Sequence, residues 1–397
     1  MRRIYFDHNA SSPLRPEARA AMLGCMDAVG NPSSVHREGR AARAIVESAR
    51  EDVAQLIGAK PSEIFFTSGA TEANVWAVSQ GWDTIFFAGI EHESVLGPIG
   101  RSGARAVELA VETDGCVASE QIAERVLLKW EPTGRALVTL QLANNETGVL
   151  QDVAPVAQFC RAHGLATHTD AVQAAGRVAI DVNDLGIDLL SLSAHKLGGP
   201  KGIGALFVRE GFELTPLLVG GGQERRSRAG TENVVAAAGF GAAARAARAG
   251  LRDQSRLAGL RNLLEESMRA LVPEAQVIGA GASRLPNTIS IGVAGLYAET
   301  LVIQLDLAGC AVSAGAACSS GKVARSHVLE AMGIAPEIAD SVIRVSLGWT
   351  SSENDLEPFL TAWANAVVRS LQRKETVNGP PLRAAGDAVR MPATLET

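Results

Sequence analysis

With 397 residues and 47% hydrophobic content, the chain has enough apolar material for a large core, and its length suits two or three domains. A net charge of −6 at pH 7 leaves no electrostatic footprint for nucleic acid, and the five cysteines are too scattered for a zinc ribbon, a redox Cys-x-x-Cys or a disulfide framework. No apolar run approaches the ~20 residues of a membrane-spanning helix, and Met1-Arg2-Arg3 leads into no apolar leader, so a cytoplasmic protein with reduced thiols is expected.

Between about residues 60 and 210, short β-rich runs alternate with helical stretches. Strands are predicted over Ile64–Thr67, Thr84–Phe87, Ala104–Leu109, Ala136–Leu142, Ala166–Thr169, Asp188–Ser191 and Gly204–Val208. Helices are predicted over Thr71–Val78, Glu91–Gly97 and Val153–His163. The strand runs are apolar on both faces, which is what a sheet covered by helices on both sides requires. The fold class is therefore α/β with a mostly parallel sheet. An Ala- and Arg-rich stretch, about 236–268, lacks proline and suits long linking helices. Beyond it, strands Gln276–Ile278, Thr288–Val293, Ala311–Ser313 and Ile343–Leu347 alternate with helices Ala298–Leu307 and Arg325–Met332, a smaller α+β unit. The last helix opens on Ser352 with Asp355 and lines Leu356, Leu360, Trp363, Val367 and Leu371 along one face. After Lys374 all periodicity breaks, and 375–397 reads as a mobile tail.

Two strand ends carry a chemistry together. Asp170 closes Ala166-Thr167-His168-Thr169-Asp170, and Lys196 closes Ser191-Leu192-Ser193-Ala194-His195-Lys196 about one strand–loop–strand step later. Pyridoxal phosphate needs such a pair: an amine to form a Schiff base, and a carboxylate to keep the pyridine nitrogen protonated. Upstream, Thr67-Ser68-Gly69-Ala70-Thr71-Glu72 passes from strand to helix through small residues, the form of a backbone cradle for a phosphate, to which Thr71 adds a hydroxyl. Ser193 and His195, two apart near a strand end, would share a face and add two more donors. The glycine-rich, basic run from Gly220 to Thr231 reads as a loop that wraps an anion or crosses a subunit boundary to do so. His92 suits stacking on an aromatic cofactor and moving protons. Gln173, three residues after Asp170, suits the cofactor's phenolic oxygen. Asn144-Asn145-Glu146 places amides at a strand's carboxyl end, where ligands of open α/β sheets sit.

The nucleophile candidate is Cys318. Its segment, Ser313 to Lys322, has almost no bulky side chain, so a loop there can bring a thiol to a reaction and take it away. A free thiol has a pKa of ~8.5, so a neighbour or the substrate complex must deprotonate it. Cys25, Cys116, Cys160 and Cys310 lie in helical or apolar contexts and are expected to be inert. Gly315 to Gly321-Lys322 misses a phosphate-binding Walker pattern by one residue, and Val323 stands where a hydroxyl would hold magnesium.

In order along the chain stand Tyr5-Phe6-Asp7-His8-Asn9-Ala10, Gly30-Asn31-Pro32-Ser33-Ser34-Val35-His36, Thr67 to Glu72, Asn144 to Gly148, His168 to Ala174, Ala194-His195-Lys196, Gly221 to Arg225, Ala229 to Asn233, the Cys318 loop and Arg344-Val345-Ser346-Leu347-Gly348. Together, from about Ile4 to Leu371, they resemble the NifS- and IscS-like cysteine desulfurases, pyridoxal-phosphate enzymes of the class-V aminotransferase family. The resemblance implies a fold-type I transferase with a seven-stranded sheet in a large domain (14–258) and a smaller domain (1–13 with 259–374) carrying the cysteine loop. It implies that Lys196 carries the cofactor and moves protons at the substrate α-carbon, that Asp170 pairs with the pyridinium nitrogen, Gln173 with the ring oxygen, and that His92 stacks on the ring. Ala70, Thr71, Ser193 and His195 would hold the phosphate, with Thr231 reaching it from the partner subunit of a homodimer. Asn145 and Arg344 would bind the carboxylate of L-cysteine. Cys318 would take its sulfur as a persulfide, leaving alanine, and pass it to an iron–sulfur scaffold protein.

Some positions depart from the family pattern. Ser11-Ser12 stand where two threonines are common, and Ala314 and Ala316 where serines are common, which bears on how the thiolate is stabilised. Val323-Ala324-Arg325 replaces a common Leu-Glu-Pro, which loosens the loop and bears on partner recognition. Other class-V activities, an aminotransferase or a selenocysteine lyase, are the alternative enzymes; a plain aminotransferase needs no thiol. A catalytically silent paralogue would show damage at Lys196, Asp170 or Cys318, and all three are intact.

Overall fold

A computed structural model describes residues 3–131, 134–315 and 325–378 of the chain. In chain order its strands are β1 (Ile4–Tyr5), β2 (Ile64–Thr67), β3 (Thr84–Ala88), β4 (Arg105–Leu109), β5 (Ala136–Thr139), β6 (Ala166–Asp170), β7 (Leu189–Ser193), β8 (Gly204–Val208), β9 (Ala275–Val277), β10 (Thr288–Val293), β11 (Cys310–Ala311), β12 (Ser313–Ala314) and β13 (Ile343–Ser346). Strands β2 to β8 form one seven-stranded sheet in the order β2-β8-β7-β6-β5-β3-β4. Only β8 runs against its neighbours, so the sheet is mostly parallel, as the doubly apolar strand runs predict.

Strand alternation decides which helix covers which face. Leu190, Leu192, Ala205 and Phe207 enter a core shared with the helices Arg37–Leu56, Val153–His163 and Val234–Ala249. Leu189, Leu206 and Val208 meet Ala73, Trp76 and Ala77 of the helix Ala70–Val78 on the opposite face. Leu137 and Ala166 pack there too, against Val95 and Ile99 of the helix Glu93–Ile99. Counting by twos from these residues puts Thr139, His168, Asp170 and Ser191 on the same face as the two short helices. The carboxyl end of that face is therefore polar and buried beneath apolar packing.

A second sheet, β12-β13-β10-β9, is antiparallel, and β1 pairs in parallel with β11 beside it. Ile343 and Val345 of β13 enter a separate core with Phe6, Ile289, Ile291, Phe359 and Trp363. Arg344 and Ser346 alternate away from that core, opposite Ser290 and Thr288. The helix Leu356–Asn378 follows a reciprocal cap in which the Ser352 backbone N–H and hydroxyl both donate to Asp355 Oδ2, at 2.8 and 2.9 Å. No helix among the described residues is long and apolar enough to cross a membrane.

Several boundaries differ from the sequence expectation. The regular ladder of β5 stops at Thr139, yet the Leu140 and Leu142 N–H groups still donate to the carbonyls of His168 and Asp170, so the chain keeps tracking β6 to the sheet edge. The predicted strand Ala311–Ser313 is two: β11 pairs with β1, and after Val312 the chain switches to β13. The final helix runs to Asn378, past the expected break at Lys374. Helices Pro16–Cys25, Arg37–Leu56 and Ser119–Lys129 were not anticipated.

Candidate active site

The candidate residues converge at the carboxyl edge of the large sheet. β7 ends at Ser193, and Ala194–Lys196 forms a single 3-10 turn. Ser193 and His195 are thus not two positions along a strand, and the shared-face argument fails. His195 is instead fixed by its Nδ1 contact with Ser11 Oγ at 3.2 Å. The turn aims Lys196 at the N-terminal segment, where Nζ donates to the carbonyls of Asn9 at 2.6 Å and Ala10 at 3.0 Å. Burial, reinforced by Arg344 and Arg177, pulls the Lys196 amine down to about 7. A large fraction is thus the free base near neutral pH, the form that attacks a carbonyl.

Asp170, at the end of β6, is buried, and each of its oxygens accepts one hydrogen bond. Oδ1 takes the Val172 N–H at 2.9 Å, and Oδ2 takes the Asn74 amide at 2.7 Å. His168 lies two residues earlier on the same face, between Thr139 Oγ1 at 2.9 Å and Ser191 Oγ at 3.0 Å, and burial lowers its pKa to about 4. His92 caps the helix Glu93–Ile99: its Nδ1 lies 2.7 Å from Ser94 Oγ and accepts the Ser94 N–H at 3.1 Å. Because Nδ1 accepts the Ser94 N–H, the neutral ring carries its own proton on Nε2. Burial lowers the His92 pKa, with Asp170 acting in the opposite sense.

The helix Ala70–Val78 starts at Gly69 without a side-chain cap, so its first N–H groups face outward. Ala70 is half-buried and Thr71 exposed at this mouth, and a Cβ at Gly69 would meet nothing within 4 Å. Gly204 is needed for the approach: a Cβ there would stand 2.5 Å from the Leu192 carbonyl oxygen and 2.6 Å from the Gly69 carbonyl carbon. The mouth has the room and the donors for a phosphate group.

The other wall belongs to the small sheet. Arg344 is buried; Nη1 donates to the Asn145 carbonyl at 3.0 Å, Nη2 pairs with Asp7 Oδ1 at 2.9 Å, and Nε has no partner among the described residues. Asn145 thus meets Arg344 through its backbone, and its half-buried side-chain amide makes no hydrogen bond among the described residues. Gln173 donates from Nε2 to the Asn9 carbonyl at 3.0 Å and accepts from Arg177 at 2.5 Å, leaving one amide hydrogen. Cys318 falls outside the described residues, and the described chain stops at Gly315 and resumes at Arg325. The four described cysteines are unpaired, and burial raises the pKa of each, Cys116 to about 11 and Cys160 to about 12.

Within the chain, the run Gly220–Thr231 is tied down by its charged side chains. Glu224 is buried on Arg50 at 2.7 Å, Arg225 stacks over Phe65, and Arg228 grips Glu72 at 2.8 and 3.0 Å. These side chains hold three consecutive non-glycine residues, Glu224, Arg225 and Arg226, at φ of 42°, 57° and 67°. Thr231 is exposed on a groove of about 230 Å³ shared with Ser68 and Arg228, and it makes no hydrogen bond to the residues around Lys196.

Sequence reasoning missed three groups. Asn9 ties the walls together: its carbonyl receives Lys196 and Gln173, while its side chain bonds the Asn145 carbonyl, Thr288 and Asn287. Glu91 is fully buried next to Asp170, and burial first, then that charge, raises its carboxyl to about 8. Asn74 is the third. A polar Asp-His-Asn run directly after apolar Tyr5-Phe6 was the only sequence signal for Asn9.

A profile of the class-V aminotransferases matches residues 4–359. The chain is 42% identical over 365 residues to a cysteine desulfurase of Cereibacter sphaeroides, covering 89% of this chain and 92% of that one. The chain belongs to the class-V aminotransferase family, in its cysteine desulfurase branch. A Klebsiella pneumoniae cysteine desulfurase is 38% identical across 99% of both chains, so that likeness reaches into the segment after Lys374 that the motifs leave unplaced. Among solved structures, a NifS-like protein from Rickettsia africae superposes with a TM-score of 0.86 at 34% identity, covering 92% of this chain and 99% of that one.

Proposed function

We propose that this chain is a pyridoxal-phosphate-dependent cysteine desulfurase that removes sulfur from L-cysteine and leaves L-alanine. The observation that carries the reading is the junction at the sheet edge: a lysine amine with a pKa pulled to about 7, a buried carboxylate at the end of β6 and an uncapped helix mouth on one face. These groups fit the cofactor. The mouth at Gly69–Thr71 would take its phosphate with Ser193 and His195, Asp170 has acceptor capacity left for a ring N–H, His92 offers its Nε2–H side, and Gln173 has one free amide hydrogen for the ring oxygen. When bound, pyridoxal phosphate supplies an electron sink for the substrate α-carbon.

The protein's own residues do the rest. Lys196 attaches the cofactor and, as a base of near-neutral pKa, takes and returns the proton at the α-carbon. Arg344, with Asp7 fixing one edge of its guanidinium, presents its remaining N–H groups to the substrate carboxylate beside Asn145. The Cys318 thiolate attacks the sulfur of the bound cysteine, the carbon–sulfur bond breaks, and the carbon takes up a proton to give alanine. The sulfur stays on Cys318 as a persulfide for an acceptor of the iron–sulfur scaffold type. Thr231, exposed on a strained loop, supports a homodimer in which it reaches the partner's phosphate site. The core around the small sheet, drawn but for Leu257 from 1–13 and 259–374, supports a small unit of those residues beside a large unit of 14–258, and Ile278, Leu285 and Val328 of the small unit pack into the large core.

Incubation of the purified protein with pyridoxal phosphate, reductant and L-cysteine tests the reading. Equal sulfide and alanine from wild type, and neither from Cys318→Ala, is the expected result. A cofactor-loaded wild type that yields neither product would refute it.

A further inference from the structure

Asn74 lies fully buried in the helix Ala70–Val78, the helix whose mouth forms the phosphate cradle. Its side-chain nitrogen donates to Asp170 Oδ2 at 2.7 Å and to Ser94 Oγ at 2.8 Å, which commits both amide hydrogens. Its Oδ1 has no partner among the described residues. The amide is oriented with its nitrogen toward Asp170 Oδ2. Ser94 in turn touches His92 Nδ1. One amide therefore joins the carboxylate at the end of β6, the helix behind the cradle and the cap that holds His92.

Asn74 is the only side-chain donor to Asp170 among the described residues; the other donor is the Val172 backbone. Glu91, another carboxyl buried nearby, makes no hydrogen bond to Asp170 among the described residues, so the Asn74 amide is what orients the Asp170 side chain from the helix side. A lysine or arginine at position 74 would also supply a donor, but it would neutralise the carboxylate. A neutral amide stabilises the charge and leaves it available to a ring nitrogen.

We propose that Asn74 is a positioning residue that donates to Asp170 and aims its carboxylate at the cofactor's ring nitrogen. The inference rests on the cofactor assignment above. Without the Asn74 donor, Asp170 becomes the more basic partner and draws the ring proton toward itself. The ring then withdraws electrons less, and the lysine-bound cofactor keeps its second proton to higher pH.

The test is an absorbance titration of holoenzyme against pH, with cofactor dissociation measured alongside. For Asn74→Ala the midpoint should rise by about one pH unit and affinity should fall about tenfold. Ser94→Ala, which removes only the arm toward His92, should leave the midpoint at the wild-type value. If Asn74→Ala fails to fold, the near-isosteric Asn74→Asp, which replaces the donor with a second carboxylate, should raise the midpoint as well. A wild-type midpoint in a folded Asn74 variant would overturn the inference. A wild type that takes up no pyridoxal phosphate would instead sink the cofactor assignment on which it rests.

Discussion

The two walls of the site are built by different means. On the large-sheet wall, Asp170, His168 and His92 sit near the end of a parallel strand or the start of a short helix, and their side-chain partners come from the same or adjacent elements of that layer, while Lys196 reaches out to the Asn9 and Ala10 carbonyls of the N-terminal segment. On the small-sheet wall, Arg344 depends on residues far away in sequence: Asp7, Asn9 and the Asn145 carbonyl. The first wall is a local product of strand alternation. The second exists only because the N-terminal segment threads between the two sheets. The carboxylate and the imidazoles thus rest on the sheet, and substrate docking rests on a seam to which the Lys196 amine is also tied.

Replacing Lys196, which reaches from the large sheet to the seam, should produce the largest effect. Lys196→Ala should lower alanine formation by about a thousandfold or more and abolish covalent cofactor attachment; an intact rate would dissolve the distinction between the walls. The same residue has a pH signature. Its folded pKa, about 7, lies below the ordinary lysine value, so the neutral amine dominates above pH 7. Attachment of pyridoxal phosphate to the apoenzyme should speed up as pH rises toward 7 and level off beyond it. An ordinary lysine would keep gaining rate toward pH ~10.

Breaking the seam should have a smaller and different consequence. Arg344→Lys should raise KM for L-cysteine about tenfold, because an ammonium cannot keep Asp7 and the Asn145 carbonyl while offering a fork to the substrate. The cofactor absorbance should stay as in wild type, and a changed spectrum would show that the walls are not separable. Asn9→Ala removes a half-buried bond to the Asn145 carbonyl and buried bonds to Thr288 and Asn287. It should cost about 1–3 kcal/mol, measured by denaturant unfolding, with a modest rise in KM.

The same contrast explains what could be read from the sequence. Ile64–Thr67, Gly204–Val208, Val153–His163 and Ala298–Leu307 have the predicted bounds because their apolar spacing is a local property. Lys196 and Asp170 were readable because each closes such a run. Ser193 and His195 were placed on one strand because nothing in Leu192-Ser193-Ala194-His195 announces that the ladder ends at Ser193. Asn9, Asp7 and Asn74 act across long sequence separations, and no periodicity carries such partnerships. In the basic loop the sequence does not show which charges are taken within the chain: Arg228 is spent on Glu72, and Arg225 on Phe65 and the Ile64 carbonyl.

The central claim is that sulfur leaves L-cysteine and stays on Cys318. The most direct measurement is mass spectrometry of the Cys318 peptide after the cofactor-loaded protein meets L-cysteine without added reductant, followed by alkylation. The account predicts a peptide heavier by one sulfur atom, formed one-for-one with alanine. Alanine accumulating while that peptide keeps its original mass would contradict it.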